Sequence, residues 1–449
     1  MIQHSPLTKS IAQPEKLFPG EPEISRLHKP SREFLLQAIQ GFDINYIYRT
    51  SKYDPERAGV RPCWSTKYGP GAELDLSSAA AWLITPGKNK FFRESEADPS
   101  LETYLRKIGL IGEDSVVHIG TRFEDIKDHA EKTGRMIYSM DDLGPSFDSV
   151  SANLWDDFVT ASSKDRVADL TAYAPKELIV DMTTVDQATF AKIWESNKSL
   201  YVKCCNTESG SGGVYRIEAA DNIQDAWLKF SELLLTLNKT RSSFGLKSEL
   251  VLQPEVVGEN HSLQVFIDPK NPNDIQVVGI SKQLNGEDGF SYAGNLLLDV
   301  NPETIRPVAH AMVDLVDRLR KNCTQPFGFL MCDFFRTPEG GVVLFDPGLR
   351  PTAATPSMMA KMWLKENFGR DAAISAFTML KFGEPLDYAE VVKRVGDYAA
   401  PEKIAETGYG ILPFGHNHIQ GIANVMLVTP TYQDYAPFLQ ALKRDLNLK

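Results

Sequence analysis

Two apolar runs, Gly328-Phe329-Leu330-Met331-Cys332 and Val342-Val343-Leu344-Phe345, flank the turn sequence Pro338-Glu339-Gly340-Gly341, and each is followed directly by an aspartate, Asp333 and Asp346. Short apolar runs on either side of Pro and Gly read as an antiparallel hairpin. With Pro338 to Gly341 as a four-residue loop, Thr337 faces Val342 and Asp333 faces Asp346, both carboxylates on one face. Directly opposed side chains have Cβ atoms about 4.5 to 5.5 Å apart, where like charges repel. The apolar flanks leave little water to compensate. A divalent cation compensates well, and Mg²⁺ takes few carboxylates plus phosphate oxygens. The alternatives are a slipped register, or an Asp that caps the turn Asp346-Pro347-Gly348.

The rest of the chain is too long for one core. Its 449 residues predict two or three packed units, and 42% hydrophobic with 24% charged residues is ordinary globular composition. Lys+Arg 48 against Asp+Glu 59 gives a net charge of -11, which argues against nucleic acid as a partner but allows a locally basic nucleotide pocket. The five cysteines show no C-x-x-C spacing, and no apolar run approaches the length of a membrane span. A cytoplasmic protein without membrane contact is the expectation, and a homodimer is compatible with it.

Residues 1–80 read as an irregular segment around one helix from Ser31 to Gly41. Strands at Ala81–Pro86, Ser115–Gly120 and Arg135–Ser139, with helical segments between them, predict a parallel α/β domain over 81–155. Over 156–257 the reading is a small mixed unit: strands at Leu178–Val180, Leu200–Lys203 and Glu249–Gln253, helices at Gln187–Glu195 and Asn222–Leu237. Residues 258–385 read as mostly antiparallel, with a long helix from Pro302 to Lys321, and 386–449 as a closing α/β segment.

Lys203 ends a strand and leads into Cys204-Cys205-Asn206-Thr207-Glu208-Ser209-Gly210-Ser211-Gly212-Gly213. A strand-end ammonium followed by a loop whose backbone N–H groups can approach closely suits a polyphosphate, although a Gly/Ser loop can be only a turn. Leu250-Val251-Leu252-Gln253-Pro254-Glu255-Val256-Val257-Gly258-Glu259 is an apolar strand running into a linker, which suits an adenine ring between two lobes or a plain hinge. Glu255 and Glu259 are equal candidates for a ribose hydroxyl. Arg350, four residues after Asp346, could aim a guanidinium at a phosphate or carboxylate.

Taken in order, these elements resemble the ATP-grasp superfamily over roughly Asn153 to Leu380. The resemblance implies α/β and α+β architecture, with two α+β lobes around an ATP cleft preceded by a small parallel α/β domain. The tail Thr407-Gly408-Tyr409-Gly410-Ile411-Leu412-Pro413-Phe414, followed by Ala423 to Val428 and a helix, is similar to the peptide-ligase branch of the pheganomycin-ligase type. The activity it implies is ADP-forming carboxylate–amine ligation through an acyl phosphate, with ATP and Mg²⁺ or Mn²⁺ as cofactors and a small acid and an amine as substrates.

The same resemblance assigns phosphate contacts to Lys164 and Lys203, the covering loop to Ser209, Gly210, Ser211, Gly212 and Gly213, and the nucleotide cleft to Gln253, Glu255, Val256, Val257 and Glu259. Asp333 and Asp346 match the metal carboxylates and Arg350 the signature arginine. Lys282, Gln283, Tyr292 and Asn295 lie in the stretch that passes the acyl donor and acceptor, Lys282 as a catalytic candidate and the other three as substrate contacts. Two departures stand out: Asp346 where the family has Glu, and Gly348 where it has Asn. They keep open one rival, a non-catalytic nucleotide binder; a second alternative is an ATP-grasp enzyme that activates an acidic hydroxyl of a small metabolite.

Overall fold

The aspartate hairpin forms one edge of a large sheet, in the order Val342–Gly348, Gly328–Arg336, Glu259–Ile267, Ile275–Asn285, Tyr292–Leu298, Ala373–Lys381, Ile422–Thr429 and Gly410–Asn417. These neighbours are antiparallel, and Leu27–Lys29 joins Ile275–Asn285 in parallel. The last two strands of the chain thus extend the large sheet. This computed structural model describes residues 13–39, 42–45, 90–92, 103–104, 106–107, 116–118, 123–139, 144–205, 213–244, 247–285, 292–352, 354–369, 371–417 and 421–448.

Each face of the large sheet is covered by a helix. On one face lies Pro302–Asn322, whose Ile305, Val308, Ala309, Met312, Leu315, Val316 and Leu319 recur at helical spacing and are buried with Leu263, Val265 and Ile267. Its start is fixed by a reciprocal cap in which Asn301 Oδ1 accepts from the Thr304 N–H and Thr304 Oγ1 accepts from the Asn301 N–H. Asn301→Ala should cost about 1 kcal/mol, read as a lower denaturant midpoint at unchanged slope. On the other face lies Thr355–Phe368, packed so closely that a Cβ on Gly279 would clash with the Met358 side chain.

A second, antiparallel sheet carries the lysine strand, in the order Leu178–Asp181, Glu249–Pro254, Leu200–Cys204 and Val214–Ile217. Its alternation is strict. Val180, Leu200, Val202, Cys204, Leu250 and Leu252 bury one face against helix Ile223–Phe244, leaving Tyr201, Lys203, Val251 and Gln253 on the other. The helix expected over Gln187–Glu195 is a single turn, Gln187–Phe190, after which the chain continues in turns.

The third sheet is parallel, in the order Val116–His118, Lys90–Phe92, Asp43–Asn45 and Ile137–Ser139. Asp43–Asn45 therefore lies inside the segment expected to be irregular. It is three residues long, too short to show a period of two in the sequence. The strand expected at Ala81–Pro86 lies outside the described residues.

Hairpin closure corrects the expected register. The Thr337 N–H donates to Gly341 O and the Gly340 N–H to Thr337 O, both at 2.9 Å, and Gly340 sits at φ 83°. A glycine in the left-handed region closes a loop one residue shorter than expected. Asp333 consequently faces Phe345 rather than Asp346. In a regular ladder that slip would turn Asp346 to the far face. Instead the register shifts again beyond Asp333, where Met331 faces Gly348, and Asp346 takes φ 52°. A bulge of this kind re-aims a side chain, and Asp tolerates the left-handed region better than most residues. Asp346 thereby returns to the cleft beside Asp333.

Candidate active site

Four ionisable side chains from four different elements converge where the lysine sheet meets the hairpin. Lys164, in the turn Lys164–Arg166, is 3% exposed, and its Nζ lies 3.3 Å from Asp346 Oδ1. The turn is tied to the lysine strand by a hydrogen bond from the Lys164 N–H to Cys205 O. Lys203 donates from Nζ to Gln253 Oε1 at 2.6 Å and sits 5.3 Å above the Phe345 ring, which stacks on Phe335. Burial pushes the Lys203 ammonium down to about 8, and Asp346 opposes that shift while Lys164 adds to it. An anion placed here would oppose that shift and favour the charged ammonium.

Asp333 is the acidic counterpart. Burial, then the neighbouring Asp346, push its carboxyl up to about 7, while hydrogen bonds from Gln283 and Ser262 and the charge of Arg350 pull it down. Gln283 is itself held by Asn260, whose Nδ2 donates to Gln283 Oε1 at 2.7 Å. Crowded, partly desolvated oxygen donors of this kind fit a hard divalent cation. Among the described residues no group of three or more His, Cys, Asp or Glu side chains is arranged to hold a metal. Asp333 and Asp346 would be the protein ligands, leaving phosphate and water to complete the shell.

Gly348 is open to the change its family resemblance suggests. It lies outside the left-handed region, and a Cβ there would meet Arg350 Nε at 3.7 Å and Ser162 Oγ at 3.8 Å, ordinary contact distances. Gly348→Asn should therefore fold normally and, by adding an amide oxygen, lower the Mg²⁺ needed for half-maximal thermal stabilisation by ATP about several-fold. An unchanged Mg²⁺ requirement would count against a cation at this position.

The structure leaves several sequence candidates apart from this cluster. Ser262 faces both Asp333 and Ser281, so these three share the cleft face. Lys282 faces His261 and therefore points to the opposite face, where its Nζ bonds Glu259 Oε1 at 2.7 Å. That exposed pair, rather than the cleft, accounts for Lys282 and Glu259. The stretch expected to pass the acyl donor and acceptor includes strand Ile275–Asn285, and alternation along it separates Lys282 from Gln283. Asn295 is buried and accepts from Ser281 Oγ at 3.2 Å. Tyr292 starts strand Tyr292–Leu298.

Glu255 donates its N–H to Ser199 O and places its carboxylate 3.5 Å from Arg216. Val256 and Val257 follow in the linker, Val257 with 64% of its surface exposed. Gly213 is buried where strand Val214–Ile217 begins, and Ser209, Gly210, Ser211 and Gly212 lie outside the described residues. Sequence reasoning missed Ser262, Phe345 and Glu177. Ser262 carried a usable signal, a hydroxyl at the point where strand Glu259–Ile267 passes from polar to largely apolar residues. Glu177 follows Pro175-Lys176 and reads as part of a solvated turn.

The fold is shared with solved ligases and carboxylases. The L-amino acid ligase from Bacillus licheniformis matches at TM-score 0.52 and 10% identity, covering 90% of this chain and 97% of that one. An ADP complex of N5-carboxyaminoimidazole ribonucleotide synthetase matches at TM-score 0.56 and 11% identity, covering 90% and 96%. The chain has the ATP-grasp fold. The biotin carboxylase domain dimer of Hydrogenobacter thermophilus 2-oxoglutarate carboxylase, in complex with MgADP, ADP and bicarbonate, matches at TM-score 0.53 and 11% identity, covering 91% and 90%. No protein-family model matches the sequence, and no curated protein matches it. The likeness therefore lies in the ATP-grasp backbone.

Proposed function

We propose that this chain is an ATP-dependent, ADP-forming carboxylate–amine ligase. The observation that carries the proposal is the convergence of Lys164, Lys203, Asp333 and Asp346 at the junction of two sheets. Two ammonium groups and two crowded carboxylates are what a triphosphate and its cation require, and a bare structural cluster would leave Asp333 raised and Lys203 lowered with nothing gained. ATP-grasp ligases among the structural neighbours, including an L-amino acid ligase, support the same direction.

In this reading Lys164 and Lys203 bind and orient the phosphates, and Arg350 holds the acid beside the γ-phosphate. A carboxylate oxygen attacks the γ-phosphorus and ADP leaves; the amine then attacks the acyl carbon, and phosphate leaves as the amide forms. Positioning and charge neutralisation carry most of this chemistry, so the enzyme needs no covalent nucleophile. A Mg²⁺ ion held by Asp333 and Asp346 would supply neutralisation of the phosphate oxygens. The tail from Thr407 to Phe414 supports amino acids or short peptides as substrates, in the manner of the pheganomycin-ligase branch.

The lack of a side chain at Gly348 favours one rival, a protein that binds ATP without turning it over. A panel of amino acids and short peptides, followed by ADP release and mass detection of products, separates the two. Ligation predicts ADP release that needs both substrates together with a product lighter by one water than their sum. ATP binding without such release would support the rival.

A further inference from the structure

Glu177 takes no part in the phosphate chemistry above, yet it stands on the same wall. Leu178 pairs with Leu252, and both pack toward the core of the lysine sheet. One step along each strand, Glu177 and Gln253 therefore point to the opposite face, which carries Lys203. Glu177 Oε1 is buried, and among the described residues no group donates a hydrogen bond to it. The Ala168 N–H bonds the carboxylate and Lys203 is its strongest neighbouring opposite charge. A buried acceptor without a donor is destabilising, and such a cost persists most readily where a ligand supplies the donor.

The surroundings restrict that ligand. A carboxylate repels phosphate, so the group facing Glu177 carries N–H or O–H. Val251, which is fully buried, and Ile179, with 48% of its surface exposed, follow on the same face, so that Ile179 supplies an apolar shelf next to the acceptor. Gln253 Oε1 is engaged by Lys203 and leaves Glu177 as the open acceptor. An apolar shelf beside one acceptor suits a flat heterocycle with an exocyclic amine better than a sugar, whose hydroxyls would lie on aliphatic carbon.

We propose that Glu177 reads the exocyclic amine of the nucleotide base, so that the cleft accepts a 6-aminopurine and rejects a 6-oxopurine. The inference rests on the nucleotide reading given above and adds the residue that sets base specificity. A 6-oxo group would turn a carbonyl oxygen toward the carboxylate and leave both acceptors without a proton.

The test is binding of the Mg²⁺ complexes of ATP, inosine triphosphate, purine riboside triphosphate and 2′-deoxy-ATP to the full chain, wild type and Glu177→Gln, by calorimetry with thermal melting as the fold control. Wild type should prefer ATP over inosine triphosphate and purine riboside triphosphate by about tenfold or more. Glu177→Gln presents an amide that can turn either way, so its preference for ATP over inosine triphosphate should shrink to about threefold or less, with the ATP to 2′-deoxy-ATP ratio unchanged. The purine riboside comparison needs only wild type and decides the matter if the variant folds poorly. An unchanged ATP to inosine triphosphate ratio, an equal loss for every nucleotide, or a change confined to 2′-deoxy-ATP would each overturn the assignment. Wild type that binds no nucleotide at all would overturn the nucleotide reading itself, an outcome distinct from the other three.

Discussion

Lys203→Ala is expected to lower substrate-dependent ADP formation by about two orders of magnitude or more while leaving the melting temperature nearly unchanged. The asymmetry follows from where the side chain sits. Its backbone holds a ladder position between Val251 and Val214, which alanine keeps. Burial disfavours its ammonium, pushing it down to about 8, so the fold loses little when that charge is removed. Bound phosphates, by contrast, lose a point charge at the junction of the two walls. Single-turnover ADP formation beside a thermal melt checks both halves, and near-normal turnover would remove Lys203 from the phosphate site.

Asp333→Asn should have opposite effects without and with the cation. The sign follows from the raised carboxyl. Between pH 3.8 and about 7 the folded protein holds a proton on Asp333 that the unfolded chain has released, so this group's contribution to stability is full below 3.8 and is lost as pH rises through about 7. Well above pH 7 the metal-free protein therefore carries an unfavourable charge next to Asp346, and the Asn variant should be more stable by on the order of 2 to 4 kcal/mol. Mg²⁺ competes with that proton, so its stabilisation of the wild-type ATP complex should grow as pH passes 7 and be largely absent from the variant. Thermal melts with and without Mg²⁺-ATP, above and below pH 7, measure it. Equal Mg²⁺ stabilisation in both proteins would take Asp333 out of the cation site.

How much of this was legible in the sequence depended on pattern length. The large and small sheets were readable because their strands alternate over four or more residues, and the helix at Pro302–Asn322 because seven buried positions recur at helical spacing. The three-residue strand Asp43–Asn45 gave no such signal. Asp333 and Asp346 were paired for a reason that proved half right. The hairpin loop is one residue shorter than assumed, and the bulge with Asp346 at φ 52° restores what the slip would have lost. A local backbone distortion of this kind leaves no periodic trace. Lys282 was grouped with Gln283 because spacing along the sequence does not reveal on which face of a strand a residue lies, which the His261 pairing sets. Glu177 was missed because it lies just before its strand, where a charged residue after Pro175-Lys176 gives no sign of facing inward.

The most direct test of the central claim follows an oxygen atom. Once the panel identifies a substrate pair, the acid is supplied with ¹⁸O in both carboxylate positions and the inorganic phosphate is analysed by mass spectrometry. If the carboxylate attacks the γ-phosphorus and the amine then attacks the acyl carbon, each turnover transfers one labelled oxygen from the acid to phosphate, with ADP as the other product. Phosphate that carries no label, released in step with amide formation, would contradict the acyl-phosphate route and with it the reading of the cleft as a carboxylate–amine ligase.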